Sequence, residues 1–391
     1  MSTVYFDNSA TTPLCPEARE AMCAAMDCYG NPSSLHTMGV AAEKLVSDAR
    51  RAILATLGVK CTTKIAENQL IFTASGTEAD NLALIGAASA KKWNCTKKIL
   101  ISDSEHPAVL EPAAELERRG FEVVRIPTVG GLPDYGMIEA AADKNIILAS
   151  FMLVNNETGA VYDIPRIAKL IKAKNPDALL HADCVQGYLK IPFTVKSLGA
   201  DLITLSAHKI GGPKGVGALY MTQSVITKKQ ISPVIFGGGQ EFLMRSGTEN
   251  VIGISGFGAA AKAGHKALSA SIAAESAIRA HLIGALSGER FSGIRLNLPE
   301  NAAPHILSIT LPSIKSETML HSLSRAEIFV SSGSACSSNT GHGSHVLRAF
   351  GLSDKEADCT IRISLGPQNT IDDANRFLDA LEGSLQTLVR I

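Results

Sequence analysis

Neither sign of charge predominates in this chain of 391 residues: 37 Lys and Arg face 37 Asp and Glu, for a net charge of +0. Binding to nucleic acid or to an anionic membrane would call for a basic excess, so neither partner is expected. No apolar run approaches the roughly 18 residues of a membrane span. The longest candidate, Ile146 to Val154, is broken by Ser150 and closed by Asn155. Met1-Ser2-Thr3-Val4 is not a basic stretch leading into an apolar one, so no signal peptide is expected and the cytoplasm is the expected location. The eight cysteines include no C-x-x-C pair, and a chain this long needs no disulfide staples. They are expected as thiols, mostly buried as small hydrophobes. With 46% hydrophobic and 19% charged residues, disorder is excluded.

Strand-like and helix-like segments alternate along much of the first 260 residues. Short apolar runs read as strands at Gln69–Thr73, Lys98–Ser102, Phe121–Ile126, Ile146–Leu153, Ala178–His181, Leu202–Leu205 and Val216–Met221. Helical stretches at Thr77–Lys91, Ala108–Arg119 and Ile164–Lys174 separate several of them. Continuous apolar strands between helices predict an α/β fold with a mostly parallel sheet covered on both faces. Residues 255–290 then read as helix, followed by strand candidates at His305–Thr310, Ile328–Val330 and Thr360–Ser364 and a last helix near Asp372–Val389. This is the pattern of a second, smaller α+β domain.

Four segments carry chemistry. Ser206-Ala207-His208-Lys209 leads into Gly211-Gly212-Pro213-Lys214-Gly215, which puts Lys209 just beyond a strand end, where α/β sheets bind ligands. For a lone lysine a surface turn is the better reading, but a desolvated amine there can form a Schiff base with an aldehyde cofactor. His181-Ala182-Asp183 has the look of a metal pair, yet no third ligand stands at a recognisable spacing. A buried Asp183 holding a proton on a pyridine nitrogen is the other reading. Ser75-Gly76-Thr77 at a helix start offers N–H groups and a hydroxyl suited to phosphate, or simply a cap. Finally, Ser331 to Asn339 is a small-residue loop with one thiol, Cys336; His342 and His345 are near, but a second cysteine for a metal site is missing. No metal is expected.

Together with Phe6 to Pro13, Gly30 to Ser34, Ser104-Glu105-His106, Val154 to Gly159, Gly237 to Glu241, Arg245 to Asn250 and Ile361 to Gly366, these segments stand in the order of a known family. The chain resembles a cysteine desulfurase of the NifS/IscS type, within the fold-type I pyridoxal-phosphate enzymes. The resemblance implies an α/β large domain with a seven-stranded, mostly parallel sheet over residues 16–258, and a small α+β domain from residues 1–15 and 259–391. It implies pyridoxal 5'-phosphate as cofactor and conversion of L-cysteine to L-alanine, the sulfur passing first to an enzyme cysteine and then to an acceptor protein such as an iron–sulfur scaffold. It implies a homodimer.

The same resemblance assigns roles. Lys209 is the Schiff-base lysine and proton shuttle, Asp183 the partner of the ring nitrogen and Gln186 that of the phenolic oxygen. His106 stacks on the ring and joins the acid–base steps. Gly76, Thr77, Ser206 and His208 hold the phosphate, with Thr248 supplied by the partner subunit. Asn156 and Arg362 orient the substrate, and Cys336 receives sulfur. One departure is visible: the family's Ser-Gly before the phosphate-binding Gly-Thr is Ala74-Ser75 here, a change that bears on the turn. The Ser/Gly-rich loop around Cys336 matches the subgroup with a long cysteine loop and disfavours selenocysteine lyase activity. An aminotransferase or kynureninase-like hydrolase would share the cofactor residues but leave Cys336 unused. A non-catalytic scaffold would need none of Lys209, Asp183, Arg362 and Cys336.

Overall fold

The computed structural model describes residues 3–61, 64–90, 97–333 and 344–389, the side chains of residues 64 and 65 excepted. Its centre is a seven-stranded sheet in the spatial order Leu70–Thr73, Gly217–Met221, Leu202–Ser206, Leu179–Asp183, Ile146–Met152, Lys98–Ser102, Glu122–Ile126. All neighbours run parallel except Gly217–Met221, which is antiparallel to both of its own. The apolar runs were strands because both faces are buried. Side chains alternate between two cores: Leu70, Phe72, Leu100, Ala218 and Tyr220 face one, while Ile71, Ile99, Ile101 and Leu219 face the other.

A second, four-stranded antiparallel sheet runs in the order Arg295–Asn297, Ile306–Thr310, Thr360–Ser364, Ser331–Ser332 and has a core of its own. The expected strand at Ile328–Val330 is shorter and lies outside this sheet. Ile328–Phe329 pairs in parallel with Val4–Tyr5, so the N-terminal segment joins the same core through Val4 and Phe6. The helix Val251–Leu286, 36 residues long, spans about 54 Å. Its first part buries Ile254, Phe257 and Ala261 in the core of the large sheet, and its end buries Ile278, Leu282 and Leu286 in that of the small one.

Two helices absent from the sequence reading, Pro16–Met26 and Thr37–Thr56, pack on this long helix. The approach is close: a Cβ on Gly258 would meet the Ala49 Cβ at 2.6 Å. From the second of these helices Arg50 reaches Glu241 in a buried two-pronged pair, both contacts at 2.8 Å, and also donates to the Leu70 carbonyl. Glu241 in turn accepts from the Phe72 N–H at 2.8 Å. That pair pins an unusual turn, since Glu241, Phe242 and Leu243 all have positive φ (47°, 57° and 69°) without a glycine among them.

The cysteine expectation needs correction. Among the described residues only Cys184 and Cys359 are buried; Cys23 is exposed, and Cys15, Cys28 and Cys61 are partly exposed. Cys15 caps the helix Pro16–Met26 and Cys23 lies within it, a helix that covers the long helix with one face and meets solvent with the other. Among the described residues no helix is long and apolar enough to cross a membrane.

Candidate active site

The carboxyl ends of the parallel strands open into a cavity of about 340 Å³. Open α/β sheets bind ligands at this edge because loops there are free to vary while the strands hold them rigidly. Asp183 is the last residue of its strand, and its Oδ1 accepts from the Val185 N–H at 2.9 Å. Three residues on, Gln186 donates through Nε2 to the Ser9 carbonyl at 2.8 Å. The neighbouring strand ends at Ser206 and turns at once into Ala207–Lys209. There the Lys209 ammonium donates to the carbonyls of Ser9 and, at 2.8 Å, Ala10. The N-terminal segment is thus drawn into the wall by Gln186 and Lys209 together.

Across the cavity His106 caps the helix Pro107–Arg118, its Nδ1 accepting from the Ala108 N–H at 3.1 Å. That bond fixes the neutral tautomer with the proton on Nε2. Burial, and then the charge of Lys209, hold the His106 pKa down at about 4. Burial also lowers His208 to about 4; its Nδ1 lies 3.2 Å from the Thr11 hydroxyl. Burial pushes Asp183 up to about 6, against the opposing hydrogen bond from Val185 and the charge of Lys209.

Gly76 and Thr77 open the helix Gly76–Ser89, which is capped by Ser75. The Ala74-Ser75 departure proves harmless to this turn. Ser75 is extended, at φ −167° and ψ 169°, a conformation open to any residue, and its hydroxyl accepts from the Glu78 N–H at 3.1 Å. The tight packing falls on another glycine: a Cβ on Gly217 would sit 2.4 Å from the Ser75 carbonyl carbon.

From the second sheet Arg362, 5% exposed, reaches into the same cavity. Its Nη1 donates to the Asn156 carbonyl at 2.8 Å and its Nη2 to Asp7 Oδ1 at 2.9 Å. Each amino nitrogen keeps a second hydrogen for a ligand carboxylate.

The cavity therefore brings together Lys209, Asp183, Gln186, His106, Gly76, Thr77, Ser206, His208, Asn156 and Arg362. Thr248 is exposed and lines no part of it within one chain. Cys336 and His342 lie outside the described residues. Gly333 and Ser344, the described residues on either side of that segment, both line the cavity. His181, the other half of the suspected metal pair, is a core residue. Its ring nitrogens lie 2.8 Å from the Ser150 hydroxyl and 2.9 Å from that of Thr204, and burial lowers its pKa to about 3.

Sequence reasoning assigned no role to three acids in this wall. Glu105 is buried, raised to about 8 by that burial, and accepts from Ser102 and from the Met152 N–H. Glu157, raised to about 7 for the same reason, accepts from the Ser344 hydroxyl at 2.6 Å. Asp80 is buried and raised by burial and by the nearby Asp183. Glu105 and Glu157 sat in motif segments already noted; only tertiary packing reveals that they are buried acids.

The profile of the aminotransferase class-V family matches residues 4–377. The chain belongs to that family. It is 38% identical to the cysteine desulfurase IscS of Dictyoglomus turgidum, over 98% of this chain and 95% of the relative. A solved NifS-like protein superposes with a TM-score of 0.90 at 34% identity, over 99% of this chain and 100% of the other. SspA, solved in complex with cysteine, gives 0.79 at 31% identity, over 93% of this chain and 99% of its own. The fold is thus that of the fold-type I enzymes, and the class-V cofactor is pyridoxal 5'-phosphate.

The cavity fits that group. Ser9 Oγ, Asp80 Oδ1, Glu105 Oε2, Gln186 Oε1 and Arg362 Nε are buried in residues lining it and find no hydrogen-bond partner among the described residues. Buried polar atoms are rarely left so; a ring hydroxyl would donate to Gln186 Oε1, and a ligand carboxylate or phosphate would accept from Arg362 Nε or the Ser9 hydroxyl. Gly76, Thr77, Ser206 and His208 would face the phosphate, Asp183 the ring nitrogen and Gln186 the ring hydroxyl.

Proposed function

We propose that this class-V chain is a cysteine desulfurase that uses pyridoxal 5'-phosphate. It takes L-cysteine to L-alanine and passes the sulfur through Cys336 to an acceptor protein, with an iron–sulfur scaffold as the natural candidate. We place it in the cytoplasm as a homodimer in which Thr248 completes the partner's phosphate site. The observation that carries the reading is the convergence of Lys209, Asp183, His106 and Arg362 on one cavity, which Gly333 and Ser344, the residues flanking the segment that bears Cys336, also line.

When bound, the cofactor supplies an aldehyde to hold the amino group and a ring to accept electrons. Arg362 takes the substrate carboxylate through the free hydrogens of its guanidinium, with Asn156 beside it. The Lys209 amine, released from the Ser9 and Ala10 carbonyls, is placed to remove the Cα proton and return it later. Asp183 would hold a proton on the ring nitrogen, and His106, neutral because it is buried, would border the bound cofactor without adding charge. The Cys336 thiolate attacks the substrate sulfur: an S–S bond forms, the Cβ–S bond breaks, and its electron pair stays with Cβ, which takes up a proton to become the methyl of alanine. The enzyme is left as a persulfide, with no external oxidant required.

The test is the mass of the Cys336 peptide after brief exposure to L-cysteine without reductant, with alanine quantified in the same tube. One added sulfur and a matching amount of alanine are expected. Bound cofactor with neither persulfide nor alanine would overturn the reading and bring an aminotransferase forward.

A further inference from the structure

A second cavity, of about 460 Å³, lies on the far side of Lys209, between the segment Thr12–Glu17, the long helix Val251–Leu286 and the stretch Leu365–Gln368. Lys209 lines both cavities. Two of the second cavity's wall residues carry deeply buried charges: Lys190 is 8% exposed and Glu275 is 4% exposed. Lys190 Nζ makes no hydrogen bond, and Glu275 Oε2 makes none either. The two charges attract each other, yet no hydrogen bond or ion pair joins them among the described residues. Arg362 is the other charge felt at Lys190, and it is held by Asn156 and Asp7.

Removing a single ammonium or carboxylate from water without a partner is costly, and a fold seldom keeps two such groups around one space. Opposite charges that share a cavity without touching are complementary to a ligand carrying both. A carboxylate would satisfy Lys190 and an ammonium Glu275. The rest of the wall limits what joins those groups. Ala260, Ala263 and Ala267 follow one another at helical spacings of three and four and continue to Glu275 on the same face. That stripe has room for a short side chain, and the hydroxyl of Ser271, between Ala267 and Glu275, is its one uncharged polar group.

We propose that this cavity is a second binding site, distinct from the catalytic one, for a small zwitterionic α-amino acid with a short apolar side chain. L-Alanine is such a molecule. It is also the product in the reaction proposed above, but the site's chemistry stands whether or not that reading holds.

The test is equilibrium dialysis of the holoenzyme with labelled L-alanine, run beside a titration of the cofactor's visible spectrum. The spectrum reports the catalytic cavity alone, while dialysis counts every bound molecule. Two alanines per chain are expected, only one of them spectrally visible. The double variant Lys190→Met/Glu275→Leu removes both charges at once and so leaves no lone buried charge. It should bind one alanine, with the spectral titration unchanged. Should that variant fail to fold, Ala263→Phe fills the cavity with both charges retained and should likewise lose only the spectrally silent alanine. The absence of any spectrally silent alanine in the unaltered protein would overturn the proposal, as would an undiminished silent alanine in whichever variant folds. Failure of the desulfurase reading would show elsewhere, as the absence of a Cys336 persulfide.

Discussion

Lys209 illustrates how much one side chain is asked to hold. Its ammonium gathers the Ser9 and Ala10 carbonyls, and in the proposed reaction the same nitrogen would carry the cofactor aldehyde and then move a proton. Lys209→Ala should therefore abolish the visible absorption of purified holoenzyme; a retained band of normal intensity would remove Lys209 from its role. Glu105 gives a residue-scale prediction with a definite sign. Its pKa is about 8 in the fold against an ordinary 4.5, so between pH 6.5 and 8 the folded state holds a proton that the unfolded chain has lost. Stability must then fall as pH rises through that window. His106, His181 and His208 are lowered in the fold and act in the opposite direction, since an unfolded imidazole is still half protonated at pH 6.5; each offsets about 0.4 kcal/mol, most of it below pH 7. Glu157 and Glu275, each raised to about 7, act in the same direction. The unfolding free energy of cofactor-free protein should drop by on the order of 2 kcal/mol from Glu105 alone across this range. Thermal melts of Glu105→Gln should show a flatter dependence than the parent.

At the scale of elements, the Arg50–Glu241 pair ties the helix Thr37–Thr56, the edge strand Leu70–Thr73 and the left-handed turn at 241–243 into one unit. Arg50→Met leaves Glu241 buried and unpaired, which should cost about 3–5 kcal/mol. Urea unfolding would reveal this as a lower midpoint, and an unchanged midpoint would mean that the pair contributes nothing net. Which elements were legible follows from the same physics. Lys98–Ser102, Thr360–Ser364 and Ile164–Lys174 match the reading residue for residue, because each is an apolar or amphipathic segment bounded by clear breaks. The helices Pro16–Met26 and Thr37–Thr56 escaped it: they cover the long helix with small residues such as Ala18, Ala42 and Ala49, and alanine leaves only a weak apolar stripe. Ser331–Ser332 and Arg295–Asn297 escaped because short polar strands owe their existence to a neighbour. The cavity's lysine, aspartate and arginine were legible from motif order, whereas the buried state of Glu105, Glu157, Lys190 and Glu275 belongs to packing between distant segments.

For the whole molecule, the position of Thr248 makes the strongest demand. It is exposed and away from its own chain's cavity, so a phosphate role requires a second copy. Mixed dimers of Lys209→Ala and Thr248→Ala chains should regain one tight cofactor site per dimer, measured by cofactor titration, because one cavity then receives both native residues. No gain over the Thr248→Ala homodimer would mean that Thr248 does not act across the interface.

The pairing of Val4–Tyr5 with Ile328–Phe329 sets the order in which this molecule can come into being. A ribosome makes the two partners roughly 320 residues apart, which at ~5–20 residues per second is a wait of tens of seconds. Through that interval Val4 and Phe6 have no core to enter, and Ser9 and Ala10 reach the Lys209 turn only after it too has been translated. Completion of the catalytic wall is therefore a late event of biogenesis, and the nascent N-terminal segment is the part most in need of shelter until its partners emerge.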